Sequence, residues 1–177
     1  ELMLKVAISS VSEEGALNNL KTADSFGWDF DKMMQSTRDK WNEELSKIKV
    51  EGTDDQKVIF YTAVYHSLLA QYISQDVDGK YYGMDAKVHE AKGYNYFGSF
   101  SCWDTYRTQH PLLTLIAPEY VNDIVKSIEA KTRDYGWLPA QHFLNVPGER
   151  MVGDHLIPIV ADAWVKGFRD YNTDFLY

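Results

Sequence analysis

Apolar positions recur at helical spacing over much of this chain. Trp41, Leu45 and Ile48 fall at i, i+4, i+7, with Phe30, Met33 and Met34 ahead of them, which predicts a helix from Asp29 to Ile48. Glu51-Gly52-Thr53-Asp54 closes it, and Thr53 is placed to cap a second helix from about Asp54 to Ser74. That helix sets Tyr61, Tyr65, Leu68 and Tyr72 on one stripe with Phe60, Val64 and Leu69 beside it, a width that predicts burial on more than one side. A third helix is expected from about Ser101 to Ile116, kinked by Pro111. A fourth runs from about Glu119 to Asp134, opened by Pro118 and ended near Gly136. A fifth follows Gly153, with Asp154 as its N-cap and Pro158 in or just past its first turn, and ends near Lys166.

The remaining segments lack that period. Leu2 to Ser9 is apolar and rich in β-formers and reads as a strand, followed by connector-like residues up to Gly27. Residues 75 to 98 are dense in turn formers and aromatics, which predicts a long ordered loop with a short hairpin turning at Asp78-Gly79. A second loop runs from Trp137 to Arg150. A start at Glu1 and an end on aromatics fit a piece of a longer polypeptide.

Composition narrows the class. The 177 residues are 45% hydrophobic and 14% aromatic, so the chain can bury a core and is no disordered polyelectrolyte. A net charge of −8 argues against a nucleic-acid partner that needs a basic footprint, and no apolar run is long enough for membrane insertion. Cys102 is the one cysteine, so no internal disulfide can form, and with no base assigned to it a buried, inert thiol is expected.

Two segments concentrate chemistry where a loop becomes a helix. In Ser101-Cys102-Trp103-Asp104-Thr105-Tyr106-Arg107 an indole stands beside a carboxylate, the equipment for stacking on a sugar ring while accepting its hydroxyl protons. The same residues also suit a plain helix start, with Ser101 and Asp104 as a capping-box variant and Asp104 paired to Arg107. In Gly148-Glu149-Arg150-Met151-Val152-Gly153-Asp154-His155, glycines flank an acid and a base, and Asp154 and His155 follow at the next helix start. A turn with an exposed Glu-Arg pair explains that segment equally well. His155 has no i, i+4 partner for a helical metal motif, and Asp76-Val77-Asp78-Gly79 does not match the spacing of an EF-hand loop.

Taken in order, Val11-Ser12-Glu13-Glu14-Gly15-Ala16, Ile59 to Leu69, Asp76-Val77-Asp78-Gly79-Lys80-Tyr81, Trp103 to Arg107, His110-Pro111-Leu112-Leu113-Thr114 and Met151 to His155 resemble the family 92 glycoside hydrolases. These are calcium-dependent, exo-acting α-mannosidases abundant in Bacteroidetes. The resemblance implies a mainly α fold, the N-terminal part of an (α/α)6 toroid preceded by a short β segment from a β-sandwich domain. Residues 1–27 would then be the last sandwich strand and linker, and residues 28–177 the first part of an incomplete catalytic toroid.

It also implies an inverting mechanism at terminal α-linked mannose, with α-1,2 linkages of N-glycans or mannans as the expected substrates. Inversion uses a Glu acid and an Asp base about 6.5 to 9.5 Å apart. Both are expected beyond this chain, as are the ligands of the calcium ion that would hold the mannose 2- and 3-hydroxyls, so Glu149 is not assigned as the acid. Trp103 and Asp104 match the family's mannose-contacting pair. Arg150 falls near a sugar-binding Arg, and Glu149, Asp154 and His155 share that join as candidate substrate contacts. The expected partners are a mannose-containing glycan and the rest of the polypeptide, in a periplasmic or extracellular location. Two other readings remain open: a different sugar-active enzyme on the same toroid, and a carbohydrate-binding or structural helical module.

Overall fold

The computed structural model describes residues 2–69, 72–98, 100–139, 142–143, 146–147 and 153–176, with backbone alone for 142–143 and 146–147. The fold is mainly helical, and it divides into two compact units, Glu1–Leu69 and Ala70–Tyr177.

In the first unit, α1 (Glu13–Ala23) starts where Ser12 Oγ accepts the Gly15 N–H at 2.9 Å, with Glu13 and Glu14 favourably placed at the positive end of the helix dipole. The connector expected there is therefore a helix, because Ser12-Glu13-Glu14 is a good cap and first turn. Asp29 caps α2 (Phe30–Leu45) by accepting from the Lys32 N–H at 2.9 Å. α3 (Asp54–Leu69) opens on a reciprocal capping box: Thr53 Oγ1 accepts the Gln56 N–H, and Gln56 Oε1 accepts the Thr53 N–H at 2.9 Å. Trp41 meets Tyr65 edge-on at 4.5 Å, and Tyr61 donates to the Ile48 carbonyl at 2.9 Å, which joins α2 to α3.

Two expectations fail in this unit. Residues 2–9 form no strand, since no described backbone segment makes a β-ladder with them, and Leu2, Leu4, Val6 and Ile8 are exposed. Alternating side chains suit a strand, but only a neighbour's backbone makes one. The wide stripe of α3 also lacks burial on several sides, because Val64 is its one buried residue and Val58 and Ile59 lie open.

The second unit is built around α6 (Val121–Tyr135). Val121, Ile124, Val125, Ile128 and Thr132 repeat at i, i+3, i+4, i+7, i+11 and are all buried. A 3₁₀ turn at Pro118–Tyr120 leads into α6, and Gly136, at φ +94°, ends it in the left-handed conformation that a Cβ would disfavour. α5 (Gln109–Ile116), α7 (Leu156–Val165) and the short α8 (Thr173–Leu176) pack on it or on each other, and Leu113, Ile128, Leu156 and Ile159 are buried. β1 (Lys80–Tyr82) and β2 (Val88–Glu90) form an antiparallel hairpin, while β3 (His142–Phe143) pairs with β4 (Val146–Pro147).

Four local expectations are corrected here. The helix expected over Ser101–Ile116 is two helices, α4 (Cys102–Thr105) and α5, with the break at 106–108. Pro111 sits in the first turn of α5, where a missing N–H costs nothing, so it begins a helix and does not kink one. Asp78-Gly79 is not the hairpin turn: the Gly79 N–H donates to the Asp76 carbonyl in a turn ahead of β1, and the hairpin closes at 83–87. Asp154 is not the N-cap of α7. That position is His155, with no side-chain cap bond, while the Asp154 carbonyl accepts the Ile157 N–H at 3.1 Å.

Candidate functional site

α4 is a single turn with two sides. Cys102 and Thr105 point into the core, whereas Trp103 is 43% exposed and Asp104 is exposed beside it. The turn closes through the Ser101 carbonyl, which accepts from the N–H groups of Asp104 and Thr105 at 2.9 and 3.0 Å. Burial of Cys102 therefore orients Trp103 outward, and it also pushes the thiol pKa up to about 12, so Cys102 is inert as expected. Ser101 Oγ donates to Asp104 Oδ2 at 2.5 Å, which holds the carboxylate. Neither the capping box nor the Asp104–Arg107 pair forms. Arg107 Nε instead donates to the Tyr106 hydroxyl at 3.1 Å.

The segment ahead of this turn is fixed from behind by α6. Asp123, Ser127 and Lys131, four residues apart on one stripe, hold the backbone of 95–98. Asp123 Oδ2 accepts the N–H and side-chain Nδ2 of Asn95 at 3.0 and 2.8 Å, and Ser127 Oγ accepts the Phe97 N–H at 2.9 Å. Lys131 Nζ donates to the carbonyls of Phe97 and, at 2.7 Å, Gly98. It also lies 4.7 Å from the centre of the Tyr96 ring. Burial, opposed by the nearby Cys102 and Asp134, draws the Lys131 pKa down to about 7, and the carbonyls and ring offer an ammonium favourable contacts there. The opposite side is equally tight: the Gly98 N–H donates to the Tyr72 carbonyl, and a Cβ on Gly98 would fall 2.3 Å from the Tyr72 ring.

The structure brings His155 to this turn. Its ring lies 4.7 Å from that of Tyr106, so the start of α7 and the end of α4 share an aromatic contact. His155 Nδ1 and Thr105 Oγ1 are both buried without a hydrogen-bond partner. Asp154 is exposed at the same helix start, while Glu149 and Arg150 lie outside the described residues. A concavity of the first unit, lined by Leu2, Val6, Trp28 and Met33 among others, is mostly apolar, and Asp24 on its wall is paired with Lys5 at 2.6 Å.

Comparison with known proteins decides what this arrangement belongs to. Residues 15–177 match the glycosyl hydrolase family 92 catalytic domain. This chain is a member of glycoside hydrolase family 92. A family GH92 α-mannosidase from Bacteroides thetaiotaomicron superposes with a TM-score of 0.90 at 33% identity, over 96% of this chain and 23% of that one. A GH92 inverting mannosidase from the same organism gives a TM-score of 0.82 at 28% identity, over 95% and 23%. An uncharacterized secreted glycosidase of Arthroderma benhamiae is 27% identical, over 97% of this chain and 18% of its own length. The chain thus spans about a fifth of the length of these relatives.

One cluster had no sequence signal as a set. Asp85 in the hairpin turn and His89 on β2 meet Asp134 at the end of α6, with their ligand atoms within 4.8 Å of one another. Asp85 and His89 are near neighbours in sequence, but nothing marks Asp134 as their partner. Ser127 and Lys131 were also missed. Two polar residues four apart inside an otherwise apolar helix face were their one visible trace.

Proposed function

We propose that the intact protein is an inverting, exo-acting α-mannosidase and that this chain supplies part of its mannose pocket. The observation that carries the reading is the exposed Trp103–Asp104 pair within a GH92 match, supported by a solved GH92 α-mannosidase in complex with mannoimidazole that is 33% identical to this chain. In this reading the indole of Trp103 stacks on the apolar face of the terminal mannose. Asp104, braced by Ser101, accepts hydrogen bonds from sugar hydroxyls. His155, placed by Tyr106, forms a second wall, with Asp154, Glu149 and Arg150 on the same join. The chain is the first part of an (α/α)6 toroid, and its open apolar residues in 2–9 and on α3 are faces that the remaining polypeptide covers. The acid and base lie outside it, α-1,2-linked mannose of N-glycans or mannans is the substrate, and the site of action is periplasmic or extracellular.

Calcium is handled elsewhere in the protein. Calcium takes six to eight oxygen ligands. Asp78 is engaged by Lys80 through its N–H and Nζ, and the Asp85–His89–Asp134 cluster includes an imidazole, so neither fits a calcium cage. No step of the proposed reaction passes through a metal held by these residues.

The test is hydrolysis of aryl α-mannosides and α-1,2-mannobiose by the intact protein, with the anomer of released mannose followed by NMR. Release of β-mannose as first product is the expected result. Release of α-mannose, or no activity on any mannoside, overturns the reading.

A further inference from the structure

We propose that Asp85, His89 and Asp134 form a binding site for a zinc-like divalent cation, which pins the β1–β2 hairpin to the C-terminal end of α6. The site is independent of the mannosidase reading and uses none of its residues.

Four observations point to it. His89 Nε2 lies 2.8 Å from Asp85 Oδ1 and 3.7 Å from Asp134 Oδ1. Those separations bracket the roughly 3.4 Å between donors that each sit about 2.1 Å from a tetrahedral zinc ion. The Asp134 side chain is only 3% exposed, and its Oδ2 is buried with no hydrogen-bond partner. A carboxylate oxygen left bare in the interior is costly, and a cation is the occupant that would satisfy it.

Gly83 leaves the space. A Cβ there would come within 2.6 Å of both Asp134 Oδ2 and His89 Cδ2, and within 2.9 Å of Asp85 Oδ1. Finally, the ligands are already oriented: the His89 ring stacks on Tyr81 with centroids 5.6 Å apart, and Asp85 Oδ1 accepts the Lys87 N–H at 3.1 Å.

The donor set selects the metal class. One imidazole nitrogen and two carboxylates suit zinc and other borderline transition ions, whereas calcium and magnesium prefer oxygen alone. The two carboxylates supply the negative charge, with Lys87 Nζ 3.5 Å from Asp85 Oδ2 as a competing cation. Three protein ligands leave a fourth position for water, and the role assigned here is a structural clamp.

The experiment uses the intact protein, stripped with chelator and titrated with zinc chloride alone, and compares wild type with His89→Ala, Asp85→Asn and Asp134→Asn. Wild type is expected to take up a zinc equivalent that His89→Ala loses and that either Asp variant binds at least tenfold more weakly. Cobalt(II) in its place should give a visible absorption band that disappears in His89→Ala. Should Asp134→Asn fail to fold, the two variants on the partly exposed hairpin carry the test. Zinc uptake that is identical in wild type and in folded His89→Ala and Asp85→Asn, or no zinc uptake by wild type, overturns the proposal.

Discussion

Lys131 Nζ, with no exposed surface, donates 2.7 Å to the carbonyl of Gly98, a residue 33 positions earlier in the chain. Through that bond and its twin to Phe97, the central helix grips the loop that delivers Trp103 and Asp104. The proposed mannose contacts are on the surface, but what aims them is interior.

Replacing Lys131 with Met tests that grip. The thioether removes the buried charge but leaves two carbonyls without donors, at a cost of about 1 to 3 kcal/mol for each group left unsatisfied. A lower Tm and a reduced kcat/KM on mannosides are expected together. A variant as active and stable as wild type would show that the loop is held by other means.

Asp104→Ala separates binding from folding. Asp104 is exposed and, among the described residues, its side chain is bonded to Ser101, so the Tm should barely move. Activity of the intact protein should fall about tenfold to hundredfold in kcat/KM, as when a site loses a charged hydrogen-bonding group. Unchanged kinetics would remove Asp104 from the pocket.

Gly98→Ala probes the close approach to Tyr72. The added methyl would overlap ring atoms at 2.3 to 2.7 Å, and part of that ring belongs to a side chain whose backbone is also bonded to Gly98. A loss of about 1 to 3 kcal/mol is expected from overpacking, measured by denaturant unfolding. Adding Tyr72→Ala should recover part of it, and full tolerance of the single variant would contradict the packing.

His110 gives a pH dependence. It is buried on α5 with Nε2 unpartnered, and burial lowers its pKa from 6.5 to about 4. The unfolded chain therefore takes up this proton first as the pH falls. The contribution is intact above pH 6.5 and is lost as the pH drops through about 4, on the order of 3 kcal/mol in full. His110→Phe should flatten that part of the stability curve, and an unaltered acid limb would assign the loss to other groups.

Metal dependence distinguishes two roles. Activity of the chelated intact protein is expected to return with calcium and not with zinc, and to do so equally in His89→Ala. Recovery with zinc alone, or loss of calcium rescue in His89→Ala, would join the hairpin cluster to catalysis.

The sequence by itself determined what adjacent turns decide. The helix of α2, the reciprocal cap at Thr53, the glycine stop at Gly136 and the candidacy of Trp103 with Asp104 all rest on residues a few positions apart. It misjudged residues 2–9 because a strand is completed by a partner, and it misjudged Pro111 because the proline's effect depends on where the helix begins. Only the tertiary structure placed His155 against Tyr106, buried Lys131 beneath Gly98 and carried Asp134 to His89. Those contacts join residues tens of positions apart, and burial of charge is set by what packs over a residue. Neither leaves a period in the sequence.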